Sequence, residues 1–148
     1  MDYQAAHQKI KLLVNETESL SIIDEVVAYL YEHFDHYSWI GIYLVEGAEL
    51  VLGPWRGKKA TEHTRIPIGK GICGSAAASG KTEVIDDVAA DDRYLACFIS
   101  TKSEIVVPIQ KDGKIVGEID IDSDTPNAFS HEDAAFLESI AELLSRYL

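Results

Sequence analysis

Residues 103–122 read SEIVVPIQKDGKIVGEIDID, two runs rich in branched residues joined by Asp112-Gly113. Asp-Gly accepts the positive φ angles of a tight type I′ turn, so the stretch predicts an antiparallel β-hairpin. Alternation along the second arm sets Asp120 and Asp122 on one face of that hairpin, two residues apart. Working upstream, YSWIGIYLV (37–45) and AELVLGPW (48–55) are again aromatic and branched, with EGAE (46–49) between them as a turn; they predict a second hairpin. Before it, Ile10, Leu13 and Val14, then Ile22, Ile23, Val26, Val27 and Leu30, fall at helical spacing. They predict two helices over residues 4–14 and 21–34, parted by the polar NETESLS. Downstream, Ser130 with Asp133 three residues on reads as a helix N-cap. Phe136, Leu137, Ile140, Leu144 and Leu148 line one face of the final helix. Helices at both ends of a largely antiparallel sheet make an α+β fold, and no repeat or linker divides residues 1–148, which read as a single domain.

The composition narrows the function. With 148 residues, 47% hydrophobic and 26% charged, the chain is of a size and polarity that closes a core without disulfides. No apolar run has the roughly 18 residues that a membrane span needs. The start lacks the look of a secretory or organellar leader, so a cytoplasmic location is expected. A formal charge of −12 opposes binding to nucleic acid or anionic lipid, which needs clustered Lys and Arg. The two cysteines, Cys73 and Cys97, have neither a C-x-x-C partner nor a neighbouring histidine pair, so no metal site and no cofactor is expected from spacing. They are packing residues or redox groups.

The stretch RIPIGKGICGSAAASGKTEVIDD (65–87) contains a literal G-x-G-x-x-G at Gly69, Gly71 and Gly74. A dinucleotide fingerprint must follow a buried strand and open a crossover helix. Here the residues before it are too polar for a central strand, and SAAASGK is too short for the crossover. A phosphate loop fails as well, because Ser75 stands where its lysine belongs. The glycines instead turn the chain, and Gly74 with Ala76, Ala77 and Ala78 lets a short helix approach the sheet. Cys73 then falls in the first turn of that helix, where the dipole and free N–H groups favour a thiolate; a more reactive cysteine than average is expected.

WIGIYL, LGPWRG, RIPIGKGICG, YLACFISTKSEIVVPI and GEIDIDSD, in that order, resemble the free methionine-(R)-sulfoxide reductases, a family built on the GAF fold. The resemblance runs from Trp39 to the C-terminus and implies a roughly six-stranded antiparallel sheet between N- and C-terminal helices, with homodimers common. It implies reduction of the R epimer of free methionine sulfoxide, with thioredoxin restoring the enzyme. Carried onto matching positions, it makes Cys97 the nucleophile and Cys73 a resolving thiol. Trp39 and Tyr43 become pocket aromatics, and Glu104, Asp120 and Asp122 pocket carboxylates. One departure stands out: where the family usually has a third cysteine just before TRIP, forming the main disulfide with the nucleophile, this chain has His63, read as a surface loop residue that could also lower a neighbouring thiol's pKa.

The implied chemistry suits these residue types. Thiol reduction of a sulfoxide needs a nucleophilic sulfur, an acid to protonate the departing oxygen, and a second thiol to turn the sulfenic acid into a disulfide. Two aspartates sharing one strand face push one pKa upward, leaving a proton available near neutrality. Carboxylates also suit the ammonium group of a free amino acid, and Trp39 the methyl-sulfinyl end. The rival reading is a GAF module that senses a small ligand and has lost turnover along with the third cysteine.

Overall fold

The computed structural model describes residues 2–16, 21–95, 98 and 100–148. Its centre is a six-stranded antiparallel sheet in the order β3-β2-β1-β6-β5-β4, comprising β1 (Trp39–Glu46), β2 (Glu49–Gly57), β3 (Arg65–Pro67), β4 (Glu83–Ile85), β5 (Ser103–Lys111) and β6 (Lys114–Ser123). Four helices flank it: α1 (Tyr3–Glu16), α2 (Ser21–His33), α3 (Gly71–Ser79) and α4 (His131–Leu144).

The expected turn joins β5 to β6. Lys111 pairs with Lys114, and Asp112 and Gly113 carry φ of 54° and 77°, the doubly positive pattern of a type I′ turn. The β1–β2 hairpin also closes on two residues, Gly47 and Ala48, with Gly47 at φ 63°. Its register slips between Gly41 and Tyr43, and Pro54 lies on the β2 side of that slip, where a missing backbone N–H is tolerated. The polar TRIP segment does form a strand, but a three-residue one at the sheet edge, consistent with its unsuitability for the centre.

Period-two alternation sorts the three central strands onto two unlike faces. Ile40, Ile42, Ile105, Val107, Ile109, Ile119 and Ile121 point to one face. There they join Ile10, Val14, Ile22, Val26, Val27, Leu30, Phe136, Leu137, Ile140 and Leu144 from α1, α2 and α4 in the main core. The opposite face is covered by α3, through Ile72, Cys73, Ala76 and Ala77, which pack with Trp39, Tyr43, Leu50, Ile66 and Val106. Gly69 (φ 96°) and Gly71 (φ 69°) turn the chain into α3 as expected. Gly74 lets α3 approach the edge of the sheet, as expected, and the loop between them as well: a Cβ there would meet the Pro67 carbonyl oxygen, at the end of β3, at 2.6 Å and the Gly69 backbone N at 3.0 Å.

Candidate functional site

Strand register assembles the site on the α3 face. Glu104, Asp122, Trp39 and Gly57 lie side by side across β5, β6, β1 and β2; Val106, Asp120 and Gly41 form the next row, and Pro108, Glu118 and Tyr43 the third. Residues directly opposite in antiparallel strands share a face, so four carboxylates from two strands converge under one short helix. All four are buried, Glu104 at 5%, Glu118 at 0%, Asp120 at 4% and Asp122 at 3% exposure. The indole of Trp39 lies across its own strand and β2. A Cβ at Gly41 or Gly57 would fall well inside contact distance of that ring, so the two glycines seat it. It stacks on Trp55 and tilts against Phe98, each at 6.2 Å between ring centroids. Tyr43 donates a 2.7 Å hydrogen bond to the His63 carbonyl oxygen, tying the β2–β3 loop to the floor of the site.

The Sγ of Cys73 and one carboxylate oxygen from each of Glu104 and Asp120 all lie within 4.8 Å of one another. Among the described residues, both Glu118 oxygens, Asp120 Oδ1 and Asp122 Oδ1 are buried without an N–H or O–H donor, and the Trp39 Nε1–H is buried without an acceptor. Lys and Arg side chains make no ion pair with any of the four acids in that set of residues. Charge is therefore costly here, and the site holds protons instead. Burial raises the pKa of Glu104, Glu118 and Asp122 well above the ordinary carboxylate range, and the charge of Asp120 adds to the rise in each. Asp120 is also raised by burial, but contacts with Glu104 and the Cys73 thiol pull it back, making it the acid that carries charge most readily. Shared strand face alone was expected to raise one aspartate; burial is the larger cause and acts on the whole set.

Cys73 reverses its expectation. It does sit in the first turn of α3, but it is 6% exposed, and burial followed by Asp120, Glu118, Glu104 and Asp122 drives its thiol pKa well above 9.0. A helix terminus contributes a fraction of a charge, and desolvation beside carboxylates outweighs it. Burial and the acidic neighbours thus favour the protonated thiol over the thiolate.

Two hollows adjoin. A narrow one of about 20 Å³, room for one water, is bounded by Tyr43, Cys73, Glu104 and Asp120 with His63 and Leu95. His63 is thus half-buried in a wall of the site, not a plain surface residue. A wider one of about 500 Å³ is lined by Trp39, Phe98, Lys58, Lys59, Asp122 and Asp124. The structure brings Trp39, Tyr43, Cys73, Glu104, Asp120 and Asp122 together; Cys97 lies outside the described residues. Glu118 is not among the residues expected from sequence, although residues 118, 120 and 122 share a strand face by simple alternation.

The GAF domain model matches residues 18–148 of the chain, which hold the whole sheet, α2, α3 and α4. Protein YtsP of Bacillus subtilis is 41% identical over 99% of this chain and 91% of its own length. Escherichia coli free methionine-R-sulfoxide reductase is 39% identical over 93% and 82%. The X-ray structure of free methionine-R-sulfoxide reductase from Neisseria meningitidis in complex with its substrate superposes with a TM-score of 0.92, at 37% identity over 97% of this chain and 86% of that one. The chain belongs to the free methionine-R-sulfoxide reductase family of GAF-domain proteins.

Proposed function

We propose that this protein reduces free methionine-R-sulfoxide to methionine. The observation that carries the reading is the set of buried, proton-holding carboxylates on one sheet face, beside a hollow of about 500 Å³, roomy enough for a free amino acid, walled by Trp39, Asp122 and Phe98, the residue that follows Cys97 in the chain. Family membership supports it independently.

In this proposal the Cys97 thiolate attacks the sulfoxide sulfur, and a carboxylic acid among Glu104, Asp120 and Asp122 protonates the oxygen. The oxygen then migrates as hydroxyl to the Cys97 sulfur while the sulfur–oxygen bond and the newly formed sulfur–sulfur bond both break, leaving Cys97 as a sulfenic acid and releasing methionine. The Cys73 thiol then gives up its proton to the adjoining carboxylate, attacks the sulfenic sulfur and releases water, forming a Cys73–Cys97 disulfide. Thioredoxin dithiol reduces that bond and is itself oxidised. The raised Cys73 pKa fits a resolving rather than an attacking role, since a protonated thiol beside Asp120 and Glu118 waits for a partner instead of reacting first. Cytoplasmic location and a homodimer complete the reading; among the described residues no helix is long and apolar enough to cross a membrane.

NADPH consumption in a thioredoxin-coupled assay tests it, with free R and S epimers and a peptide-bound sulfoxide compared. Turnover of the free R epimer alone, lost in Cys97→Ser, is expected. Tight binding of the free sulfoxide without turnover would instead make the chain a ligand sensor. Non-reducing mass measurement after one equivalent of substrate should show the Cys73–Cys97 bond, and normal recycling by Cys73→Ser would remove Cys73 from the scheme.

A further inference from the structure

We propose that the narrow hollow under α3 is a binding site for one thiophilic divalent cation of the zinc class, held by Cys73, Glu104 and Asp120. The three residues come from α3, β5 and β6, so no sequence spacing announces them, yet their donor atoms lie within 4.8 Å of one another. Tetrahedral zinc, with bonds of about 2.0–2.3 Å, needs its ligand atoms about 3.5 Å apart, a contraction within reach of side-chain rotation. Two further observations point to a cation. Both oxygens of Glu118, fully buried and directed at Cys73, have no N–H or O–H donor among the described residues, and Asp120 Oδ1 has none either. The hollow itself, at about 20 Å³, fits a single water or ion and excludes an amino acid as it stands.

One thiolate with two carboxylates and an open fourth position is a donor set for zinc or cobalt. Magnesium and calcium, which take only oxygen and demand six or more ligands, are excluded. On binding, the thiol proton leaves to solvent and the sulfur–metal bond takes its place, with no change of oxidation state. Binding itself does not depend on the reductase reading. Its consequence does: with that reading, the ion occupies the resolving thiol and two site acids, and turnover stops until a chelator removes it.

Reduced, chelator-treated protein titrated with Co²⁺ tests the site. The expected result is one equivalent bound with a near-ultraviolet thiolate-to-cobalt absorption, displaced by Zn²⁺ and untouched by Mg²⁺ or Ca²⁺. The band must survive in Cys97→Ser and vanish in Cys73→Ser, and Glu104→Gln must weaken binding by at least about tenfold. Where Cys73→Ser does not fold, the Glu104→Gln titration decides between site and no site. A band that persists without Cys73, follows Cys97, or is indifferent to Glu104→Gln overturns the site. If the band behaves as expected but wild-type protein shows no turnover before metal is added, the reductase reading fails and the metal site stands.

Discussion

Two sets of buried acids, on opposite faces of the same sheet, meet opposite fates. On the helical face Asp133 is 1% exposed, but every group around it donates. Tyr37 OH (2.7 Å), His36 Nε2 (2.9 Å) and Tyr3 OH (3.2 Å) reach Oδ1, while the Ser130 N–H and hydroxyl reach Oδ2 as half of a capping box for α4. Burial pushes its pKa up, yet the bonds from His36, Ser130 and Tyr37 outweigh burial and hold it at about 2. On the α3 face, Glu104, Glu118, Asp120 and Asp122 face one another and a thiol, and all are raised. Burial is common to both; the supply of donors decides. A satisfied acid is a structural clamp, here joining α1, the α2–β1 connection and α4. A set left short of donors stores protons and leaves room for an incoming ammonium group or cation.

The largest consequence is for stability. Asp133→Ala strands the Tyr3, His36 and Tyr37 donors and removes the reciprocal half of the α4 capping box, and should cost about 3–5 kcal/mol in urea unfolding. Glu104→Gln, which removes an equally buried acid, should leave stability unchanged or raise it by about 1 kcal/mol, while lowering turnover of the free sulfoxide by about 10²–10³-fold. Equal losses of stability from the two substitutions would erase the distinction between clamp and store.

Much of this contrast is legible in the sequence, and the unreadable part has a common cause. The DG hairpin, the helix faces and the Ser130 cap are written in local period and turn chemistry, so they are found where expected, except that α4 ends at Leu144 and leaves Leu148 beyond it; the capping box adds only the reciprocal bond from the Ser130 N–H to Asp133. The three family carboxylates and two aromatics come with the resemblance. The sign of the Cys73 shift was not readable, because its largest causes are burial and acids on β5 and β6, remote in sequence. Glu118 carries a readable signal, alternation with Asp120 and Asp122, but alternation alone does not say which face is closed by α3. The donors to Asp133 come from residues 3, 36, 37 and 130, and nothing local in any of those segments points to the others.

A pH series sharpens the comparison, since the two sets act with opposite sign. The pocket acids have folded pKa values above their ordinary 3.8–4.5, so their cost is present at high pH and is relieved as pH falls through the raised values. Asp133 has a folded pKa of about 2 against an ordinary 3.8; its contribution is complete above about 4 and lost as pH falls through 2. Stability should therefore climb on mild acidification, peak near pH 4–5, then lose about 2 kcal/mol toward pH 2 from this one group. Asp133→Asn should flatten the acid limb and leave the climb intact. A stability that falls steadily from pH 7 downward would contradict the raised pocket values.

The smallest effect is the most local. Glu118 is fully buried, and its charge is among the causes that raise the Cys73 thiol, after burial and Asp120. Glu118→Gln keeps the shape and removes the charge. It should raise stability by no more than about 1 kcal/mol at pH 8, with the gain fading as acidification neutralises the wild-type carboxyl. The same change should lower the Cys73 pKa, so that in a Cys97→Ser background the thiol reacts with iodoacetamide faster at pH 8, by at most about tenfold. Asp133 and its donors lie on the other face and should not register the substitution, leaving the acid limb of the stability curve in place. An alkylation profile identical to that of the Cys97→Ser parent would mean that Glu118 does not act on Cys73, and that burial and the other three acids alone keep this thiol protonated.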